Sequence, residues 1–577
     1  MARVRGARLA LVFGAAVGVV TPSMASAQAA DSTTRCDGLS VQRVDVQTDR
    51  PKFRGPLAWW RRIARGFGLH HATTNEGLVR RFVSLDPGVP CTEFRRSESE
   101  RILRAQPFLA DASVITRQEG DSVRVGVETT DEVALVGGAR LRGAHVEAVN
   151  IGTLNFRGAG MHVEGRWEQG GVYRNGVGGK IAHYQLLGRP YTLELEGMRH
   201  PIGEVYSAAL SHPFLTDLQR IAWHGGYVTS KNDLAHLHRP DRSELTQPVD
   251  RVWWNLGGVT RIGPPRRLFL VGGMVIGQRV VPRDQFSLVD TITGRLNPTI
   301  DTAGVRHYAP YDATSVASVL GVRALTFTRM HGLDAVAADQ DVATGFQIGT
   351  LLGTRPLSGA VLRDGFATID AYAAGRTRRN FIGARAETES RVDFHSGTWR
   401  HFIASGRAAW YFQPSTRWTS ELSVEGTAGW RTIVPFQLEL GDRQGGLRGY
   451  ARSLEAGSQR LLARFEQRVD IARYQGTRAA IGAAAFADAG RMWAGDVPFG
   501  INTPIRTSVG AALLAAIPAR SQRTVRAELA VPLTRAQGAR PELRFVVREP
   551  ARGFWFDPPK IRWARLSAVP EQIFSWP

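Results

Sequence analysis

One arginine stands in a glycine-rich turn, Gly445-Gly446-Leu447-Arg448-Gly449-Tyr450, and two alternating segments after it carry acid on their polar sides. In the first, Leu462, Arg464, Glu466 and Arg468 hold the even positions against Leu461, Ala463, Phe465 and Val469. In the second, Ala484, Phe486, Asp488 and Gly490 share one side, with Ala483, Ala485 and Ala487 on the other. Side chains alternate across a strand, so each set lines one face. Arg448 is therefore expected to meet Glu466 and Asp488 on a common inner wall, because a guanidinium buried without an acid is costly. This is the chemistry of a held charge rather than of bond making. The sequence contains no G-x-S-x-G nucleophile turn, no H-E-x-x-H zinc motif and no phosphate-binding glycine loop. His236 and His238 have the spacing to share a strand face as metal ligands, but Asp233 and Asp241 beside them favour a solvated loop. His70-His71 reads the same way. We assign no catalytic residue and no metal, and expect a protein that is not an enzyme.

The turn and the second segment together resemble the BamA/TamA superfamily of outer-membrane assembly barrels. Arg448-Gly449-Tyr450 resembles that family's R-G-F/Y loop motif, and Phe486-Ala487-Asp488-Ala489-Gly490 its F-x-D-x-G strand motif. Glu466 matches a second inward acid. The resemblance implies a transmembrane antiparallel β-barrel of about 16 strands, with the loop folded back inside so that its arginine contacts the aspartate. It further implies unfolded outer-membrane or secreted proteins as clients, accessory periplasmic proteins and outer-membrane lipids as partners, and no nucleotide or other cofactor.

The elements that must position these residues begin with an export signal. Met1 to Ala27 has a basic start (Arg3, Arg5, Arg8), an apolar core from Leu9 to Val20 and a small-residue cleavage site, Ala25-Ser26-Ala27. No later run approaches the ~18 uncharged apolar residues of a transmembrane helix. The 577 residues carry 62 glycines and a formal charge of +21, and only four of the 73 basic residues are lysines. That skew is in large part what genomic base composition produces. The charge nonetheless favours anionic headgroups or acidic client segments. Nucleic acid is not expected, since an exported chain is separated from it and no nucleic-acid motif occurs.

Residues 28–132 read as a small periplasmic α/β domain, its structured part running from Leu39 to Glu132. Val41, Val44 and Val46 mark a first strand, Thr74 to Leu85 a helix starting near Asn75, and Arg95 to Gln106 a second helix with Ser97 as its cap. Ala112 to Arg117 and Ser122 to Glu128 alternate as strands. The order β-α-α-β-β resembles a single POTRA domain. An insertion, Pro56 to His71, has Leu57, Trp60, Ile63, Ala64 and Phe67 at helical spacing beside Arg61, Arg62 and Arg65. That composition suits a membrane-surface helix, or a loop packed on the domain. Cys36 and Cys91 are candidate disulfide partners in an oxidising compartment, with two buried thiols as the alternative.

From about residue 133 to 556 the chain is a series of alternating segments read as the barrel, followed by a tail over 557–577. Trp418 to Trp430 is the clearest, with Trp418, Leu422, Val424, Gly426, Ala428 and Trp430 opposite Glu421, Ser423, Glu425 and Thr427. Its ~40 Å length at ~45° tilt gives about 28 Å of height, close to the apolar band of an outer-membrane barrel. The segments outnumber 16, so some between Gly170 and Gly226 or around Phe381 are expected not to be strands. Ser230 to Asp250 and Arg283 to Tyr311 are expected as external loops. Val133 to His145 and Glu542 to Arg548 should meet at the closing seam, where glycines on one side and shortness on the other predict a weak joint. The resulting expectation is insertion, assembly or translocation of client proteins at the outer membrane. A passive, anion-preferring channel is the alternative.

Overall fold

The computed structural model describes residues 36–50, 73–142, 145–169, 175–239, 243–290, 295–302, 304–356, 362–441, 445–450, 455–474, 479–536, 538–548 and 554–567. The export signal, the Pro56–His71 insertion and His70-His71 lie outside the described residues.

The amino-terminal unit is a four-stranded sheet in the order β2-β1-β4-β3, formed by β1 (Asp37–Asp49), β2 (Pro90–Thr92), β3 (Leu109–Glu119) and β4 (Ser122–Asp131). β1 runs parallel to β4, as a strand and its helical crossover require. The first helix is shorter than the sequence predicts. α1 covers only Glu76–Arg80, capped by the Asn75 carboxamide, which accepts from the Gly77 N–H at 2.8 Å. Phe82, Val83 and Leu85 reach the core from irregular backbone instead. The second, α2 (Glu93–Arg104), starts before Ser97: Thr92 is the cap, accepting from the Arg95 N–H, and Ser97 donates to the Phe94 carbonyl inside the first turn. Thr92 wins because its hydroxyl precedes the orphan N–H groups that a cap must satisfy.

Cys36 and Cys91 are joined, with Cα atoms 5.0 Å apart and a sequence separation of 55. The bridge ties the start of β1 to β2 beside Val41, Leu85 and Leu103. A loop of that length implies about 4 kcal/mol of stabilisation on the chain-entropy account. Replacing both cysteines with serine should lower the unfolding free energy of this unit by roughly that amount, read from urea unfolding followed in this unit alone.

The rest of the chain closes into an antiparallel barrel. Its wall has about 20 strands, from Leu135–Arg142 to Glu542–Arg548, which lie side by side and complete the ring. The expected count of 16 is corrected. Leu135–Arg142, His145–Thr153, Met161–Glu168, Gly176–His183, Thr192–His200 and Gly203–His212 are six strands of 8 to 10 residues. Such lengths sit at or just below the roughly 9–11 residues with which a tilted strand crosses hydrocarbon. The segments discounted between Gly170 and Gly226, and the one around Phe381 (Asn380–Asp393), are genuine strands. Strands further on are far longer; Tyr311–His331 has 21 residues, roughly 66 Å of extended chain.

That excess length also corrects one expected loop, Ser230 to Asp250, while Arg283 to Tyr311 connects two adjacent wall strands from outside the ring and carries one short hairpin. Ile221–His238 and Glu244–Ile262 stay paired from Ser230↔Arg251 to His238↔Glu244, and Phe286–Val289 pairs with Leu296–Thr299 as an added hairpin. Past the lipid a strand keeps its hydrogen bonds but no longer needs apolar side chains, so its composition resembles that of a loop.

Burial is inverted relative to a soluble protein. On Trp418–Trp430 the exposed residues are Trp418, Leu422, Val424 and Trp430, while Ser423, Glu425 and Thr427 are buried. Val525, Leu529 and Val531 face out, with Arg526 and Glu528 buried between them. An apolar exterior around a polar interior is what a hydrocarbon surround selects. Among the described residues no helix is long and apolar enough to cross a membrane.

Candidate functional site: a charged lumen with two inserted segments

The interior is filled from two directions. The chain between Trp430 and Gln459 folds inward, pinned by a two-residue ladder of Leu438–Glu439 on Ala456–Gly457. Its Phe436, Leu438, Leu440, Leu447 and Tyr450 pack with Leu462 and Met492 of the wall. At its tip, Arg448 reaches the strands Gln459–Tyr474 and Ala479–Trp493. Its Nε and Nη2 each donate to Asp488 at 2.6 Å, and Nη1 donates to Glu466 at 3.2 Å. The two bonds to Asp488 form a fork on one carboxylate, the strongest arrangement open to arginine. The guanidinium lies 3.5 Å from the centre of the Phe486 ring, so its face is also covered. Burial opposes the charge on Arg448, but hydrogen bonds and charge from Asp488 hold its pKa above the usual arginine value.

The neighbours explain why the flanking residues are what they are. Gly449 sits at φ +82°, with Pro532 so close that an added Cβ would lie 3.2 Å from it. A residue with a side chain is strained there on both counts. The Tyr450 hydroxyl lies between the carbonyls of Thr507 and Thr534, at 2.8 and 2.9 Å. Phe486 lies against Gly510 of the next strand, and Gly490 leaves room for Leu462 and Leu440.

Sequence reasoning missed how far the network extends. Arg526 donates to both oxygens of Glu466 at 2.8 Å and to Glu528 at 3.0 Å. Arg544, on the closing strand, reaches Glu528 at 3.3 Å, and the Gly449 N–H donates to Glu542 on that same strand at 3.2 Å. The loop is thereby tied to the seam. The signal was present in the alternation of Thr524, Arg526 and Glu528 against Val525, Ala527 and Leu529.

The carboxyl-terminal residues, read from sequence as a tail, enter the lumen. After the closing strand, Phe554 to Ser567 runs along the inner wall and includes α3 (Pro559–Ala564). Arg407 donates to Asp557 at 2.9 Å. Arg565 donates to Asp557, to the carbonyls of Ile403 and Glu387 and to the Ser405 hydroxyl, at 2.8 to 3.2 Å. Ile561 and Ala564 pack against the inward loop, so the two insertions support each other.

The amino-terminal unit sits over one mouth. Arg104 of α2 forks onto Asp341 at 2.7 and 2.8 Å, Glu100 pairs with Arg329, and Asp111 with Arg520. Gly158, in a strand-connecting turn, comes so near that an added Cβ would lie 2.2 Å from the Thr73 carbonyl. His236 and His238, expected in a solvated loop, are instead on a strand end. His236 pairs with Glu244 and His238 with Glu439 at 3.0 Å, and His238 is buried. Among the described residues no three potential ligands gather for a metal.

Fold and site together define a class: a large closed antiparallel barrel, apolar outside and charged inside, with an α/β unit at one mouth. No protein-family model matches the sequence and no curated protein does. Among solved structures, the chain is similar to BamA from Haemophilus ducreyi lacking POTRA domains 1–3, at 12% identity and a TM-score of 0.38, covering 88% of this chain and 83% of that one. It is also similar to CdiB from Escherichia coli, at 12% identity and a TM-score of 0.44, covering 89% and 75%. A third is CdiB from Acinetobacter baumannii, at 9% identity and a TM-score of 0.39, covering 88% and 72%.

Proposed function

We propose that this chain inserts, assembles or translocates client proteins at an outer membrane, through a wall that opens sideways at its seam. Residues 1–27 serve as the export signal, and residues 28–132 form a periplasmic domain of POTRA type that collects unfolded outer-membrane or secreted clients. Outer-membrane lipids and accessory periplasmic proteins are the further partners, and no cofactor takes part. The observation that carries this reading is the fork of Arg448 on Asp488, with Glu466 on its other arm, in a loop that also holds the closing strand through Glu542. A buried ion pair is a poor source of net stability, and its best-attested use is to specify one arrangement among several. Here that arrangement is the loop docked against the seam. A passive anion-preferring channel is the weaker reading, because the loop and the carboxyl-terminal segment occupy the interior that such a channel would leave open.

The test is depletion of the protein followed by quantitative comparison of the outer-membrane and secreted proteomes. Selective loss of one or more client proteins is expected. An unchanged proteome, with a fall only in small-anion uptake, would transfer the assignment to the channel.

A further inference from the structure

The carboxyl-terminal segment is held in an unusual way: much of its binding is through main-chain atoms. Arg385 donates to the Trp555 carbonyl at 2.7 Å, Arg251 to that of Trp563 at 2.6 Å, and Thr368 to that of Ser567 at 2.9 Å. The Glu389 carboxylate accepts from two successive N–H groups, Leu566 at 3.2 Å and Ser567 at 2.9 Å. These wall residues come from three strands, Glu244–Ile262, Leu362–Arg376 and Asn380–Asp393. Every polypeptide offers the same carbonyl and amide groups, except where proline removes a donor. Side-chain contacts add to these: Asp557 accepts from Arg407 at 2.9 Å, the Ser567 hydroxyl accepts from Arg391 at 2.6 Å, Lys560 pairs with Glu439, and Arg565 has the largest set. Its guanidinium meets two wall carbonyls, the Ser405 hydroxyl and, at 3.4 Å, the Glu387 carboxylate.

A permanent filler needs no such arrangement. Apolar side chains of matching volume fill an interior without burying Glu389, Arg385 and Arg391, and buried charge is often replaceable by apolar packing at no loss of stability. A wall that presents carboxylate to amide N–H groups and cations to carbonyls has the chemistry of a peptide receptor. We infer that the inner wall around Glu389, Thr368, Arg385 and Arg251 is a binding track for polypeptide carrying an arginine, with residues 554–567 as its resident occupant. The client of the proposed function would take this track by displacing the segment, so the inference rests on that reading and names where in the barrel the client is held.

The experiment measures peptide binding directly and does not depend on export. Protein truncated after residue 553 is refolded in detergent, its barrel verified by heat-modifiable migration, and titrated with a labelled peptide of sequence 554–567. Saturable binding is expected. A shuffled peptide that keeps arginine at the position of Arg565 should bind within about tenfold of the native one. The native peptide with prolines in place of Leu566 and Ser567, and the native peptide on the Glu389→Gln protein, should each bind at least tenfold more weakly. If the truncated protein fails to fold, a protease site replacing residues 549–553 allows the segment to be cut after assembly and exchanged against labelled peptide. No binding by a folded barrel, no exchange after cutting, or binding of the native sequence alone would overturn the track and leave a dedicated plug. Loss of clients on depletion without peptide binding would leave the proposed function intact, and peptide binding without any client would remove that function while the track stands.

Discussion

Arg448→Ala is expected to lower client output at least tenfold while leaving a closed, heat-modifiable barrel. The side chain is the cation on which the Asp488 carboxylate is forked, and Asp488 is buried. Removing one partner of a buried pair leaves the other uncompensated, at a cost of about 3–5 kcal/mol. The wall strands are joined by their own continuous ladders, Gln459–Tyr474 to Ala479–Trp493 and onward. The cost therefore falls on the docked position of the loop rather than on the cylinder. At about 1.4 kcal/mol per decade, even the lower figure displaces a docked-to-undocked ratio by roughly a hundredfold. Glu466 suffers less, because Arg526 keeps both of its oxygens paired. Two companions separate electrostatics from packing. Arg448→Lys keeps a charge but not the fork, and should fall between wild type and alanine. Adding Asp488→Asn to Arg448→Ala removes the stranded charge and should recover thermal stability without recovering output. Wild-type output from Arg448→Ala would mean that the loop is merely structural.

A disulfide across the seam should abolish output, and reduction should restore it. Leu135–Arg142 and Glu542–Arg548 are among the shortest wall strands, with 8 and 7 residues. A ladder of that length carries far fewer interstrand bonds than the neighbouring long hairpins, such as Tyr311–His331 on Asp339–Pro356. Gly137 and Gly138 on the first strand add no cross-strand side-chain contact. On the closing strand, Leu543 and Phe545 are 62% and 59% exposed on the outer face, as outward apolar residues are on the other wall strands, so they add no protein contact across the joint. Cysteine pairs scanned along the two strands, crosslinked in the membrane and assayed before and after reductant, provide the measurement. Full output from a quantitatively crosslinked seam would rule out sideways opening.

The parts of this architecture that were legible in the sequence are those encoded within one strand. Alternation at Trp418–Trp430 assigned the outward and inward faces, and the same period placed Asp488 and Glu466 on the inner one. Glu542–Arg548 was readable as the closing strand from its own pattern. The strand number was not, because closure is a property of the whole ring and the count came from a family likeness. The surplus segments set aside between Gly170 and Gly226 are part of the wall. The supposed loop from Ser230 to Asp250 was misread because hydrogen bonding continues where apolar patterning stops. The fate of the carboxyl terminus was invisible for a different reason. Glu389 meets Ser567 across 178 residues of chain, and nothing local announces a contact at that distance. The helix cap shifted from Ser97 to Thr92 for the opposite reason, since two hydroxyls only five residues apart competed for the same role.

The path of Phe554–Ser567 also decides how charge is shielded inside the ring. Arg407 and Arg565 meet on Asp557, Arg385 donates to the Trp555 carbonyl, and Glu389 accepts from the main chain of Leu566 and Ser567. With the segment withdrawn, these wall groups lose those partners and must be met by water or by another chain. The electrostatic character of the lumen at this level is therefore a property of the segment as much as of the strands around it.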